Sequence, residues 1–220
     1  MANIKALIFD LDGVLVDTAA FHYQAWKILA DELGINFTLE DNEQLKGVSR
    51  VKSFEILLSL GNLTLEQSQK DVMLQKKNDL FLKLIATMKH EDILPGVVDL
   101  IKDQKGKGRK IALGSASKNA ETVLLNTQLI TVFDALVDGT HVSAAKPDPE
   151  VFLKGASMLG IAPKNCVVFE DAQAGVEAAL NGGMYCIGIG EDAVLGKAHW
   201  VVPSVGSIDI ETFDSKLEAL

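Results

Sequence analysis

Cysteine is scarce in this chain of 220 residues: it has only Cys166 and Cys186, each inside an apolar, strand-like run. Two thiols so placed exclude a disulfide framework and read as buried free thiols, so a cytoplasmic protein is expected. Positive charge is also short. Lys and Arg number 21 against 30 Asp and Glu, for a formal net charge of −9. Such a chain repels phosphate polymers, so neither nucleic acid nor an anionic membrane surface is an expected partner. No uncharged apolar run approaches the roughly 18 residues of a spanning helix. The opening MANIKALIFD lacks the long apolar stretch and small-residue cleavage site of a secretory leader. Internal repeats and low-complexity tracts are missing too.

What is present is ordinary globular composition, 48% hydrophobic and 23% charged. The length suits one domain, or one domain with a small insert, and is enough to bury a sizeable core. Short apolar runs recur between turn residues at Ala6–Phe9, Ile111–Leu113, Ala135–Val137, Val167–Phe169 and Cys186–Ile189. They are too short for helices and rich in Ile, Val and Leu, which predicts buried strands. Helical spacing over Ala120–Gln128, Pro149–Leu159 and Ala174–Asn181 separates the later ones. Strands alternating with helices predict βαβ units and a parallel, Rossmann-like α/β sheet.

One stretch breaks the alternation. From about Asp17 to Glu91 there is no good strand run, while Trp26, Leu29, Ala30 and Leu33 follow a 3.6-residue period. So do Phe54, Leu57 and Leu58, and later Phe81, Leu84 and Ile85. Ser49 is placed to cap one of these helices, and Thr64 with Gln67 suggests a capping box for the next. The simplest reading is an inserted helical domain over 17–91, with the α/β core formed by 1–16 and 92–220. The alternative is that these helices merely cover one face of the sheet. Pro95-Gly96 marks the return to the core.

In open parallel sheets ligands bind beyond the carboxyl ends of the strands. Those ends carry Asp10-Leu11-Asp12-Gly13, then Gly114-Ser115-Ala116-Ser117-Lys118-Asn119, then Lys146-Pro147-Asp148-Pro149, then Glu170-Asp171 ahead of Gly175. Each alone has a plain explanation. Asp-x-Asp-Gly is a common turn, Ser115 suits a helix N-cap, Lys146 suits a surface cation, and Glu170-Asp171 suits the positive end of a helix. Together, in this order, they supply a nucleophile, a hard-cation site and a charge-neutralising lysine. Carboxylates with no nearby His or Cys point to Mg²⁺ rather than zinc.

The four segments IFDLDGVLVDT, GSAS, KPDPE and FEDAQAG resemble the motifs of the haloacid dehalogenase superfamily, in order and over Ile8 to Gly175. The helical insert sits where the superfamily's α-helical cap sits. The resemblance implies that Asp10 is a nucleophile that becomes an aspartyl phosphate, and that Asp12 is the general acid/base. It implies that Lys146 offsets phosphoryl charge, and that Ser115 and the Ala116 amide hold the transferring group. Asp10, Glu170, Asp171 and the main-chain carbonyl of Asp12 would ligate Mg²⁺. An aspartate at position 12 favours phosphate-ester chemistry, because members that cleave carbon–halogen bonds lack this acid and the ion pumps carry threonine there.

The acceptor decides between two activities: water makes a phosphatase, a second sugar hydroxyl makes a mutase. Asn42–Arg50 (NEQLKGVSR), Thr18, Phe21–Trp26, Lys77-Asn78-Asp79 and Ser115–Asn119 resemble the superfamily's phosphosugar mutases. That likeness covers most of the chain and weakens after about Gly190. It implies interconversion of β-glucose 1-phosphate and glucose 6-phosphate, with β-glucose 1,6-bisphosphate as intermediate and primer. A bisphosphate needs a second cationic grip, for which Arg50 offers a planar fork and Lys118, with Ser117 and Asn119, a core-side partner. Lys46 and the backbone of Gly47, Val48 and Ser49 are candidate sugar contacts. His22 and Lys77 would link substrate engagement to the placement of Asp12, and Thr18 is a candidate substrate contact. Trp26 is a candidate contact that reads equally as cap core. His90, His141 and His199 show no ligand spacing. A monomer acting on a small-molecule phosphosugar is the expected assembly. A magnesium-dependent phosphatase is the first alternative, and a non-catalytic phosphosugar-binding protein, which would lack Asp10, Asp12 or Lys146, is the second. Gly114 before Ser115, and Asp148 inside the KPDP turn, depart from the mutase pattern without removing a functional group.

Overall fold

The computed structural model describes residues 3–45 and 47–220. Six strands form one parallel sheet: β1 (Ala6–Phe9), β2 (Lys110–Gly114), β3 (Ala135–Val137), β4 (Cys166–Glu170), β5 (Tyr185–Ile189) and β6 (Trp200–Val202). Their spatial order is β3-β2-β1-β4-β5-β6. The chain works outward from β1 to β3 and then crosses back to β4. β1 and β4 therefore flank the switch point where open α/β sheets place their ligands.

The sequence runs predicted five of these strands within a residue at either end. Trp200–Val202 was not among them, because a three-residue, partly exposed edge strand leaves too short a pattern to separate from a loop. Strand period assigns each residue to a face. Leu7, Phe9, Ile111, Leu113, Val167 and Phe169 point to one side, into a cluster with α5 (Val97–Gly106) and α10 (Ile210–Glu218). Phe9 stacks on Phe169 there, with ring centroids 4.4 Å apart. Ala6, Ile8, Ala112, Cys166, Val168 and Cys186 point to the other side. They pack on α7 (Glu150–Leu159) and α8 (Gln173–Asn181). Both thiols are thus buried and free, one each in neighbouring strands.

Between β1 and α5 lie four helices: α1 (Ala19–Glu32), α2 (Leu39–Glu43), α3 (Arg50–Leu60) and α4 (Gln67–Ile85). They build a small core of their own from Trp26, Leu29, Phe37, Phe54, Leu57 and Leu58. Ser49 caps α3, its hydroxyl accepting from the Lys52 N–H at 3.3 Å. The cap of α4 differs from the expected Thr64–Gln67 pair. Glu66 is the N-cap, and Gln69 accepts from its N–H at 3.0 Å. The helix starts two residues later than the motif suggests, and the same reciprocal chemistry shifts with it.

The two strands of chain that enter and leave the insert are tied side by side. Val16 bridges Ile93, and the Leu94 N–H donates to the Leu15 carbonyl at 2.9 Å. Phe81 and Ile85, in the last turns of α4, belong to the sheet-side cluster rather than the insert's own core. No helix among the described residues is long and apolar enough to cross a membrane. Six further elements, α6 (Ala120–Asn126), α9 (Asp192–Leu195) and four single 3-10 turns, complete the chain.

Candidate active site

The carboxyl ends of β1 and β4 deliver three carboxylates to one point. Asp10, Glu170 and Asp171 each offer an oxygen, all within 4.8 Å of one another. Lys146, on the loop after β3, reaches between them. Its ammonium donates to Asp10 Oδ1 at 2.6 Å and to Glu170 Oε2 at 3.1 Å, with all three side chains buried. Burial works against the lysine charge, but Asp10 and Glu170 outweigh it and hold Lys146 protonated above its ordinary range. Burial, then Asp10, push Glu170 well above the usual carboxylate range, with Lys146 opposing.

Lys146 leaves one oxygen of this cluster unanswered. Glu170 Oε1 is buried with no hydrogen-bond partner among the described residues. A buried oxygen of that kind is unfavourable unless something else binds it. An all-oxygen donor set of this size fits a hard divalent cation, and the cluster is able to hold one. The Asp12 carboxylate lies outside this cluster.

Asp12 occupies a different environment two residues on. Withdrawal from water, then the nearby Asp10 charge, raise its carboxyl to about 6, while a hydrogen bond from Thr18 pulls the other way. A carboxyl near 6 exchanges a proton close to neutral pH, as a general acid/base requires. Thr18 donates to Asp12 Oδ1 and is fully buried, outside the cavity lining. It acts on Asp12 rather than facing a ligand. Behind Asp12 stands His22, whose Nε2 lies 3.9 Å from Asp12 Oδ1 and whose Nδ1 lies 2.8 Å from the Lys77 ammonium. Burial, then Lys77 and Arg50, hold the imidazole well below its usual range and so neutral. Lys77 is itself brought down to about 7 by burial and by Arg50. Its ammonium sits over the rings of Trp26 and Phe81, 4.9 and 4.5 Å from their centroids.

A cavity of about 450 Å³ opens between the helical insert and the sheet. Asp10, Asp12, Lys146 and Asp171 line it, with His22, Lys77, Arg50, Gly47, Val48 and Ser49 from the insert and Ala116, Ser117, Lys118 and Asn119 from the loop after β2. Trp26 borders it as well, although its ring is mostly committed to the insert's core against Phe54. Ser115 is fully buried and does not line the cavity. Its hydroxyl accepts from the Ser117 N–H at 3.1 Å, shaping the loop instead. Lys46 lies outside the described residues. Asn119 spans the cleft, its amide donating to Asn78 of α4 at 2.9 Å.

Two glycines are required here by contact. A Cβ on Gly13, at φ +78°, would stand 2.2 Å from Asp171 Oδ2, so only glycine lets that carboxylate approach β1. Gly47, at φ +70°, carries the insert's loop onto the core, where a Cβ would meet that of Ala172 at 2.8 Å. Gly47→Ala combines left-handed strain of roughly 1–2 kcal/mol with that clash. A loss of at least about ten-fold in kcat/KM is expected, read by steady-state kinetics, with the melting temperature lowered by about 2–8 °C. Unchanged kinetics would mean the loop does not seat this way.

Sequence reasoning missed several lining residues. Asn42 and Ser53 contribute polar side chains from the insert, and Gly139 and Val142–Ala145 contribute the loop ahead of Lys146. Ser53 was within reach, since it follows Arg50 by three residues and shares its helix face. Asn42 opens the Asn42–Arg50 segment but was given no role of its own, and Gly139 and Val142–Ala145 carry no local signal, because only the packing of loop on loop brings them to the cavity.

A sequence profile of the haloacid dehalogenase-like hydrolases matches residues 4–183. The chain is 38% identical over 217 residues to the β-phosphoglucomutase of Bacillus subtilis, covering 98% of this chain and 96% of that one. A crystal structure of β-phosphoglucomutase from Clostridium difficile superposes with a TM-score of 0.94 at 40% identity, covering 98% of both chains. A phosphorylated-carbohydrates phosphatase of Thermotoga maritima is 33% identical over 185 residues, 82% of each chain.

Proposed function

The chain belongs to the haloacid dehalogenase-like hydrolase family, and from that premise we infer that it interconverts β-D-glucose 1-phosphate and D-glucose 6-phosphate, the reaction of a β-phosphoglucomutase. The observation that carries this reading is the near full-length match to two such mutases. The cavity is chemically consistent with it. Besides the aspartates, Lys146 and Lys77, it is lined by Arg50 and Lys118, and neither of these two is held in a salt bridge among the described residues. A site that only removes one phosphate has no need of a second cationic grip.

Asp10 enters the cycle as an aspartyl phosphate, primed by β-glucose 1,6-bisphosphate. The Asp12 carboxylate takes the proton from the 6-hydroxyl of bound β-glucose 1-phosphate, that oxygen attacks the phosphorus on Asp10, and the bond from phosphorus to the Asp10 oxygen breaks, giving β-glucose 1,6-bisphosphate. After the bisphosphate turns end for end, an oxygen of Asp10 attacks the phosphorus of the 1-phosphate, and the bond from phosphorus to the sugar O1 breaks. Asp12 donates its proton to that leaving oxygen, which frees glucose 6-phosphate and restores the aspartyl phosphate. Lys146 stabilises the charge on the transferring group, and the Ala116 backbone amide is placed to help it. Asp10, Glu170, Asp171 and the Asp12 carbonyl would hold Mg²⁺, which when bound adds charge neutralisation at the phosphoryl oxygens. His22 and Lys77 support the placement of Asp12, and closure of the 17–91 insert over the 1–16 and 92–220 core limits access of water. A cytoplasmic monomer is proposed.

Hydrolysis of the phosphoenzyme is the competing outcome, and the likeness to the Thermotoga phosphatase supports it. Supplying β-glucose 1-phosphate with catalytic bisphosphate and Mg²⁺, and following glucose 6-phosphate against free phosphate, separates the two. The mutase reading expects glucose 6-phosphate to dominate; dominant free phosphate overturns it. Arg50→Ala sharpens the result. Removing a charge-assisted grip predicts a loss of isomerisation of roughly 10²- to 10³-fold. Hydrolysis of simple phosphate esters, which never reach Arg50, is expected to stay largely intact.

A further inference from the structure

Asn42 is a group in this cavity whose chemistry nothing above uses. It lies on α2, is 6% exposed, and lines the cavity. Its backbone is committed, the N–H to the Thr38 carbonyl at 3.2 Å and the carbonyl to the Leu45 N–H at 3.0 Å. Its side-chain amide meets no hydrogen-bond partner among the described residues. The amide atoms are not sealed away: Asn42 is buried as a residue, but its polar end stays accessible in the cavity, with no group of the protein bonded to it. An amide left in that state is available to a ligand.

The chemistry of the group selects its ligand. Phosphate ends of the substrate are matched by cations, Lys146 in the core and Arg50 in the insert. An uncharged amide with two donors and one acceptor matches a hydroxyl, which both donates and accepts. We propose that Asn42 is a specificity-determining residue whose side-chain amide hydrogen-bonds one ring hydroxyl of the hexose held between the two phosphate grips. The inference rests on the mutase reading and deepens it. It makes the insert a reader of sugar identity as well as a lid, because a site built to bond a hydroxyl discriminates against the analogue that lacks it.

Asn42→Ala and Asn42→Leu test it, the second keeping the volume. Each is assayed on β-glucose 1-phosphate and on its 2-, 3- and 4-deoxy analogues, with bisphosphate and Mg²⁺. Both variants are expected to lose about ten- to a hundred-fold in kcat/KM on the parent sugar. On one deoxy analogue, and one only, variant and wild type are expected to agree, because the hydroxyl that Asn42 reads is already gone. The ligand-free melting temperature is expected to stay close to wild type, since the amide makes no bond within the protein; a purely structural asparagine would lower it. Equal losses on all four sugars, or no loss on the parent, overturn the inference while leaving the mutase reading in place. A wild type inactive on β-glucose 1-phosphate overturns both.

Discussion

Asp10→Asn is expected to abolish turnover, by at least about 10⁴-fold, while the protein stays folded. An amide oxygen does not attack phosphorus to give a stable acyl phosphate, and no other group at the site replaces it. Asp12 lies two residues on, but its carboxyl is tied to Thr18 and its raised protonation range suits proton transfer rather than attack. The substitution keeps the side chain's shape. It removes one anion from a crowded cluster, and Lys146 retains Glu170 as a partner at 3.1 Å. The two effects oppose each other, so circular dichroism and the melting temperature are expected to stay close to wild type. Rapid-quench labelling with a radioactive phosphosugar is the decisive measurement: the wild type is expected to carry label on Asp10 and the variant none. Label that survives in the variant would place the phosphoenzyme elsewhere and undo the assignment.

Lys146→Ala is expected to lower kcat by about 10²- to 10³-fold, the scale of one preorganised charge donor. A second effect separates this lysine from a surface cation. Its ammonium is buried between Asp10 and Glu170, and its removal leaves buried carboxylates facing one another without compensation. Breaking a buried ion pair in this way costs about 3–5 kcal/mol, so the metal-free variant is expected to melt roughly 10 °C below wild type. Added Mg²⁺ is expected to recover part of that loss, because the divalent ion supplies the missing positive charge to the same oxygens. Thermal melts with and without Mg²⁺, beside steady-state rates, check both halves. Equal melting temperatures would show that the carboxylates do not depend on this lysine, and the charge balance argued here would fail.

How much of this was legible in the sequence follows from the range of the forces involved. Strand runs such as Ala6–Phe9 and Ala135–Val137 were readable because a central parallel strand must be apolar on both faces, and that demand is local. The four strand-end segments were readable for a related reason. A parallel sheet brings its carboxyl ends together by topology, so Asp10, Ser115, Lys146 and Glu170 are neighbours once the strand order is granted. The helical insert showed itself through period alone.

Other features were decided only in three dimensions. Nothing near Thr18 in the chain says that its hydroxyl is spent on Asp12, nor that Ser115 is turned inward to hold its own loop. The neutral state of His22 depends on Lys77 and Arg50, which arrive from α4 and α3. Asn42 opens the NEQLKGVSR segment, but its place in the cavity lining exists only because the cavity forms around it. The sequence by itself determined which elements form and which reactive groups stand at strand ends, since periodicity and covalent order are enough for that. The tertiary structure decided protonation states, hydrogen-bond partners and the walls of the cavity, because burial and Coulomb forces act between residues far apart in the chain.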